Sequence, residues 1–247
     1  MPEDDAYMLA TWQPHIKDAA RDGRTQYVLE QLQRHGLRGS AYSILLMCCA
    51  TGDSSAGTIR SEHVDLARAL LDRGADPNYS DVRMGPLHYA VGGLGDASVD
   101  MVALLLDAGG AIRTSLSHSL PLVYRGFEAS DSARHLRCRR ITRLLLRAGM
   151  PPHTGYYLEA LWNDFRIRND WATEEHFLAT KKLILDVRAA GSPQAYRMTS
   201  RKRVLALRSL TLKGRAEPRD ARMTFLVDSP NEIAWKILEY WRTELDC

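Results

Sequence analysis

A helix-like segment that recurs four times, each time closed by a glycine, constrains this chain more than any other feature. The segments read YVLEQLQRHG, VDLARALLDRGADPN, VDMVALLLDAGGAI and RRITRLLLRAGMPP, and their closing glycines are Gly36, Gly74, Gly109 and Gly149. Glycine is favoured there because the residue after a helix often takes a left-handed conformation, which costs other residues a steric penalty. The glycines stand 38, 35 and 40 residues apart, and a period of this length predicts a stack of repeated structural units.

A shorter helical stretch precedes each of these segments. In chain order the stretches are HIKDAARDG, YSILLMCCATG, PLHYAVGGLG and PLVYRGFEAS. The repeating unit is therefore predicted to be a turn, a short helix, a loop, a longer helix and a glycine. A fifth unit, over residues 153–191, would use YYLEALWNDF and FLATKKLILDVRAAG. One such unit cannot bury its apolar faces alone, so neighbouring units must stack.

Three stretches, GADPN (74–78), GPLHYA (85–90) and VDMVALLLDAGGAI (99–112), resemble the ankyrin repeat. They match its pattern of T-P-L-H-x-A followed by V-x-x-L-L-x-x-G-A in register. The resemblance implies an all-α ankyrin-repeat solenoid of about four to five helix pairs over residues 1–191, followed by a helical C-terminal extension over 192–247. The units are expected at about 11–38, 39–80, 81–115, 116–152 and 153–191.

The chain departs from the family pattern in two ways. Gly85 replaces the usual threonine, and the units are lengthened by DSSAGTIRSE (53–62), ASDSARHLRC (129–138) and IRNDWATEE (167–175), which we expect to be loops. His88 occupies the position of the family's structural histidine, which bonds the backbone of a neighbouring turn. His15 stands at the matching place in the first unit and takes the same expected role.

No catalytic or metal-binding motif is present in the sequence. EEHF (174–177) is not a zinc motif of the H-E-x-x-H type, and there is no G-x-S-x-G elbow, phosphate-binding loop or dinucleotide fingerprint. Carboxylates are scattered over turns and helix starts rather than paired in an apolar setting. We therefore expect no enzyme activity, no metal and no cofactor.

The ankyrin resemblance implies that a protein partner is bound on the concave face. In that family the contacts come from the finger-like turns between units and from the short helices. Tyrosine and arginine, which dominate protein interfaces, are frequent in these parts of the sequence. The alternative is that these turns are ordinary solvated turns. The candidate partner-binding residues are Tyr79, Arg83, Met84, Tyr89, Arg113, His118, Tyr124 and Arg125.

Residues 197–222 form the most basic segment of the chain. RMTSRKRVLALRSLTLKGRAEPRDAR carries nine lysines and arginines against two acidic residues, which would suit nucleic acid. Leucines and a valine interleave with these charges at helical spacing, however. The favoured interpretation is an amphipathic helix that packs its apolar side on the last repeat and points its arginine stems outward. A nucleic-acid-associated function is the weaker alternative.

The last helix is predicted within SPNEIAWKILEYW (229–241). Ser229 is expected to cap it, Pro230 to occupy its first turn and Glu232 to complete a capping box. The segment resembles the start of an F-box and the tails of algal, protist and poxvirus ankyrin proteins, which implies docking on a Skp-type adaptor. The alternative is a helix that caps the stack. The candidate docking residues are Ile233, Trp235, Ile237, Leu238 and Trp241.

Composition fits a protein of the cell interior. The chain has 33 basic and 30 acidic residues, and its start, MPEDDAYMLATW, lacks the basic and apolar regions of a secretory signal. Its four cysteines form no C-x-x-C pair. We expect a monomer in the cytoplasm or nucleus that acts as a non-enzymatic protein-interaction scaffold. The alternative is a substrate receptor of a ubiquitin ligase.

Overall fold

The computed structural model of the chain describes residues 14–53, 56–80, 84–111, 132–150, 175–217 and 221–240. The expected all-α fold class is confirmed, because regular structure in these ranges is helical apart from one isolated parallel bridge between Thr58 and Leu94. The helices are α1 (Pro14–Arg21), α2 (Thr25–His35), α3 (Ser40–Thr51), α4 (Ser61–Leu71), α5 (Pro86–Gly92), α6 (Ser98–Asp107), α7 (Ser132–Arg147), α8 (Glu175–Ala190), α9 (Pro193–Leu212), α10 (Ala221–Asp228) and α11 (Asn231–Glu239).

Helices α1 to α7 stack in two layers, as a solenoid requires. The first helices of the predicted pairs, α1, α3 and α5, each contact the next, and so do the second helices α2, α4, α6 and α7. The expected difference in length does not hold throughout, because α3 has 12 residues whereas α2, α4 and α6 have 11, 11 and 10. Helix α3 lies between α1 and α5 and against α4, so eight of its twelve residues are buried. This position explains why SAYSILLMCCAT is apolar nearly all round rather than along one stripe.

The repeating glycines close the second helices as the sequence predicts. Gly36, Gly74, Gly109 and Gly149 have φ of 63°, 88°, 87° and 93°, in the left-handed region. The N–H of the residue after each glycine donates to the carbonyl oxygen five residues earlier, at 2.8 to 3.2 Å. This hydrogen bond is the 6→1 bond of the Schellman motif, which satisfies a carbonyl at the helix end. The four pairs are Leu37 with Leu32, Ala75 with Leu70, Gly110 with Leu105, and Met150 with Leu145.

Two of the three expected loop insertions differ from the prediction. Residues 132–138 are the first two turns of α7 rather than a loop, because Ala, Leu and Arg favour helix and His135 and Cys138 are buried there. Of the insertion at 53–62, residues 53 and 56–60 lie outside any helix, and α4 begins at Ser61. Of 167–175, only Glu175 is described, and it starts α8.

The described residues divide into two compact units. Residues 14–150 and 175–178, with the gaps given above, form the first unit, and residues 179–217 and 221–240 form the second. The core of the second unit consists of Val204, Leu226, Ala234 and Leu238, with Leu205 and Ile237 packed against it. The apolar side of the basic helix α9 therefore packs on α10 and α11. The sequence predicts instead that it packs on the last repeat.

Candidate functional site

Three of the predicted partner-binding residues lie around one turn of the first unit. Tyr79 belongs to the finger-like turn (residues 78–84), Met84 ends it, and Tyr89 lies in α5. Met84 is 42% exposed and both tyrosines are partly exposed. Arg83 of the same turn lies outside the described residues, as do Arg113, His118, Tyr124 and Arg125.

The backbone around the start of α5 leaves little room for a side chain at position 85. A Cβ atom at Gly85 would lie 3.1 Å from the carbonyl oxygen of Tyr79, which is tighter than ordinary van der Waals contact. The carbonyl oxygen of Gly85 accepts the N–H groups of His88 and Tyr89 at 3.0 and 3.3 Å. Glycine thus lets the two ends of the turn approach each other and brings Tyr79 near α5.

Side chains from neighbouring parts of the stack hold this turn in place. The N–H of Asp76 donates to Oγ of Ser43 at 2.9 Å. Asn78 donates from Nδ2 to the carbonyl oxygen of Gly109 at 3.0 Å, and its Oδ1 accepts the N–H of Ala111 at 2.6 Å. The asparagine of GADPN therefore ties one turn to the next and fixes the base of the finger.

A histidine that the sequence does not mark out, His63, joins two neighbouring repeats of the first compact unit. His63 is fully buried, and its Nδ1 accepts the N–H of Arg60 at 3.1 Å. Its Nε2 must then carry the proton and donate to the carbonyl oxygen of Arg21, 2.6 Å away. His15, which was expected to hydrogen-bond the backbone, is instead exposed. Its ring lies edge-on to the ring of Tyr27, with the two ring centroids 6.5 Å apart.

The predicted capping box of the last helix is wrong. Ser229 is buried, and its Oγ donates to the carbonyl oxygen of Phe225 at 2.6 Å, one turn back in α10. Pro230 takes the N-cap position of α11, and no side-chain hydrogen bond caps that helix. Ser229 therefore ends one helix rather than starting the next.

Arg208 of α9, rather than a capping box, stabilises the turn between α10 and α11. It is 8% exposed, which contradicts the expectation that the arginine stems of this segment point outward. Its guanidinium donates to the carbonyl oxygens of Leu226 and Ser229 at 2.6 and 2.5 Å and to Oδ1 of Asn231 at 3.1 Å. One side chain thus satisfies carbonyl oxygens at the end of α10 and links them to the side chain of the first residue of α11. Lys202 and Arg203 of the same helix are exposed.

The five residues predicted to dock an adaptor lie in different environments. Leu238 is buried in the core of the second unit, and Ile237 packs against that core. Ile233 and Trp235 are 47% and 60% exposed. Trp241 lies outside the described residues. Leu238 and Ile237 therefore hold α11 in place, whereas Ile233 and Trp235 are accessible.

Helix α11 has two separate flanks beside its buried strip. Successive residues of a helix are rotated by about 100°, so the buried Ala234 and Leu238 share one side. Ile233 and Tyr240 fall on one side of this strip, which we call the isoleucine flank. Trp235 falls on the other side, which we call the tryptophan flank. The two exposed candidates therefore cannot belong to one flat contact surface.

Metal-binding clusters and the ionisation of two buried cysteines can be assessed within the described ranges. No cluster of His, Cys, Asp and Glu side chains within these ranges could hold a metal ion. Burial raises the pKa of the Cys138 thiol to about 11, and burial with the neighbouring Cys48 raises the pKa of Cys49 well above its usual value. A nucleophilic cysteine needs the opposite shift.

None of the helices seen here combines the length and apolarity that a bilayer crossing requires.

Comparison with known proteins supports the repeat. A family model for the ankyrin repeat matches residues 44–82, which run from α3 through α4 into the finger-like turn. No curated protein and no solved structure matches the chain. The chain therefore carries an ankyrin repeat within an all-α stack.

Proposed function

We propose that this chain is a non-enzymatic scaffold that binds a protein partner through its finger-like turns and first helices, the side that is concave in ankyrin repeats. Ankyrin repeats are protein-interaction modules, and the match to residues 44–82 includes part of this side. The observation that carries the proposal is the turn around Tyr79, Met84 and Tyr89. Hydrogen bonds from Asn78 hold its base, which lowers the backbone entropy that would be lost there on binding.

An affinity capture with the full chain tests this proposal. We expect the wild type to retain a partner that the Tyr79→Ala, Tyr89→Ala double variant loses by about tenfold or more, because tyrosines are frequent binding hot spots. Tyr27→Ala is the matched control, since Tyr27 is 38% exposed but lies in the second-helix layer. Equal loss in the control, or full retention by the double variant, would contradict the proposed surface.

A second candidate is a substrate receptor of a ubiquitin ligase. Its support is the isoleucine flank of α11, where Ile233 and Tyr240 are 47% and 79% exposed. On this proposal, the resemblance to F-box starts and to the tails of algal, protist and poxvirus ankyrin proteins reflects docking of this flank on a Skp-type adaptor. The Ile237 and Leu238 side chains would act indirectly, by holding the helix.

Binding of a purified Skp-type adaptor tests the second candidate. Ile233→Asp should abolish binding without unfolding the chain, because Ile233 contributes little to the core. Phe225→Asp is the matched control, since Phe225 is 64% exposed in α10. If the adaptor does not bind, or if both variants lose it equally, the ligase function is ruled out as stated. An intracellular location and a monomeric state remain predictions.

A further inference from the structure

An apolar groove lies between α9 and α11 in the second unit. Its volume is about 330 Å³, which is enough for a large side chain. Trp235 and Met198 are 60% and 43% exposed, so apolar surface faces solvent on both sides of it. The lining residues are Met198, Arg201, Leu205, Trp235, Lys236, Leu238 and Glu239.

Two cations of this groove lack a carboxylate partner within the ranges that the structure describes. Arg201 donates from Nη2 to the carbonyl oxygen of Glu239 at 3.1 Å, which is a backbone contact. Its Nε is buried and makes no hydrogen bond. Neither Arg201 nor Lys236 forms an ion pair with a described residue. The accessible parts of the Arg201 guanidinium and the Lys236 ammonium are therefore the groups of this groove that a carboxylate could pair with.

We propose that this groove binds a short peptide segment of a partner protein in which a large apolar side chain stands beside carboxylates. The apolar side chain would enter the groove against Trp235 and Leu205, and the carboxylates would meet Arg201 and Lys236. Tryptophan and arginine are the residue types most often found at binding hot spots. The Glu239 carboxylate, which also lines the groove, opposes such a ligand and limits its affinity.

This site is independent of both proposed functions. It uses the tryptophan flank of α11, whereas adaptor docking uses the isoleucine flank and the scaffold surface lies in the first unit. Ile233→Asp should therefore leave peptide binding unchanged, and Trp235→Ala should leave adaptor binding unchanged. The failure of one proposal can thus be told from the failure of another.

Fluorescence anisotropy with labelled peptide pools tests the groove on the full chain. The acidic pool has a central Leu, Phe or Trp flanked by Asp and Glu, and the control pool has Asn and Gln in their place. We expect saturable binding of the acidic pool, at least about tenfold weaker binding of the control pool, and weakening as salt increases. Trp235→Ala and Arg201→Gln should each weaken binding of the acidic pool about tenfold. Glu239→Gln should strengthen its binding two- to threefold.

Matched controls keep the outcome decisive. Lys202→Gln removes an exposed charge from α9 outside the groove, and Phe225→Ala removes an exposed ring from α10, so neither should change the affinity. Circular dichroism must show that all variants fold like the wild type. The proposal is overturned if both pools bind equally or not at all, or if the control variants weaken binding as much as Trp235→Ala. It is also overturned if light scattering shows a dimer that Trp235→Ala dissociates, because a second copy would then occupy the groove.

Discussion

At the scale of single residues, the turn between α10 and α11 is stabilised by the charged side chain of Arg208, where the sequence predicts a short capping side chain. Its planar guanidinium reaches two backbone carbonyls and one amide oxygen at once, which Lys could not match in geometry. The carbonyls of Leu226 and Ser229 lie in and just after the last turn of α10, where the helix dipole is negative, so the positive charge is favourably placed. The turn between α10 and α11 therefore depends on a residue of α9.

Replacing Arg208 should loosen this turn. We expect Arg208→Ala to destabilise the second unit by about 2–4 kcal/mol, because it removes charge-assisted hydrogen bonds and leaves buried carbonyl oxygens without donors. Hydrogen exchange of residues 221–240 should rise accordingly. Lys202→Ala, an exposed position on the same helix, should change the exchange of this segment little. Unchanged protection in Arg208→Ala would show that the helices hold the turn without it.

The Cys138 thiol offers a second test at this scale. Burial raises its pKa from 9.0 to about 11, so at pH 8 its reactive thiolate is about a hundredfold scarcer than in the unfolded chain. We expect alkylation of Cys138, followed by mass spectrometry, to be slower by at least that factor in the native protein than in guanidinium. Equal rates in the two states would show that α7 opens readily around this residue.

At the scale of elements, the loop before α4 is part of the folded structure. The N–H of Ile59 donates to the carbonyl oxygen of Leu94 at 2.6 Å, and the N–H of Leu94 donates to that of Gly57 at 3.0 Å. Gly95, with φ of 89°, lies directly against the carbonyl of Ile59. The insertion is thus tied to the loop between α5 and α6, which limits its freedom to reach a partner.

Two glycine substitutions separate backbone strain from collision. Gly95 and Gly109 have nearly the same φ, 89° and 87°, but a Cβ at Gly95 would strike Ile59 whereas a Cβ at Gly109 meets nothing within 4 Å. We expect Gly109→Ala to cost about 1 kcal/mol for the left-handed backbone alone, and Gly95→Ala to cost at least twice as much. Thermal melting measures both. Equal shifts would mean that the loop moves aside without penalty.

How far the sequence predicts these elements depends on how local their causes are. The glycine-closed second helices were predictable, because cap and apolar spacing lie within one segment, as at Leu70 and Gly74. The roles of Arg208 and His63 were not, because the acceptors of Arg208 lie 18, 21 and 23 residues away in the chain and that of His63 lies 42 residues away. The sequence predicts a loop over the first turns of α7 because most of its residues there are polar, whereas the burial of His135 favours the helix. The sequence predicts which types of residue α11 offers to a partner, but it does not predict that they divide between two flanks of that helix.

At the scale of the whole molecule, the first unit is held together through nearest neighbours. Leu45 is fully buried in α3, which contacts α1, α4 and α5. In a stack of this kind, stability is close to a sum of terms within units and between adjacent units. Damage at α3 should therefore weaken the helices on both sides of it.

Leu45→Ala tests this coupling. We expect a loss of about 2–5 kcal/mol of unfolding free energy from the cavity, with faster hydrogen exchange in α1 and α5 as well as in α3. Met84→Ala is the control, because Met84 is 42% exposed and its loss should change stability by less than about 0.5 kcal/mol. Faster exchange confined to α3 would show that the units open independently.

The glycines that close the second helices also have a consequence for inheritance. Every single-base change of a glycine codon that alters the amino acid introduces a side chain, which the left-handed backbone at Gly36, Gly74, Gly109 and Gly149 resists. The first-helix signature already departs from the ankyrin pattern in this chain, because Gly85 stands where that pattern has threonine. Diverging descendants of this chain would therefore keep the spacing of their glycines longer than the T-P-L-H pattern. A search keyed to glycines 35 to 40 residues apart would recognise them after the familiar signature has faded.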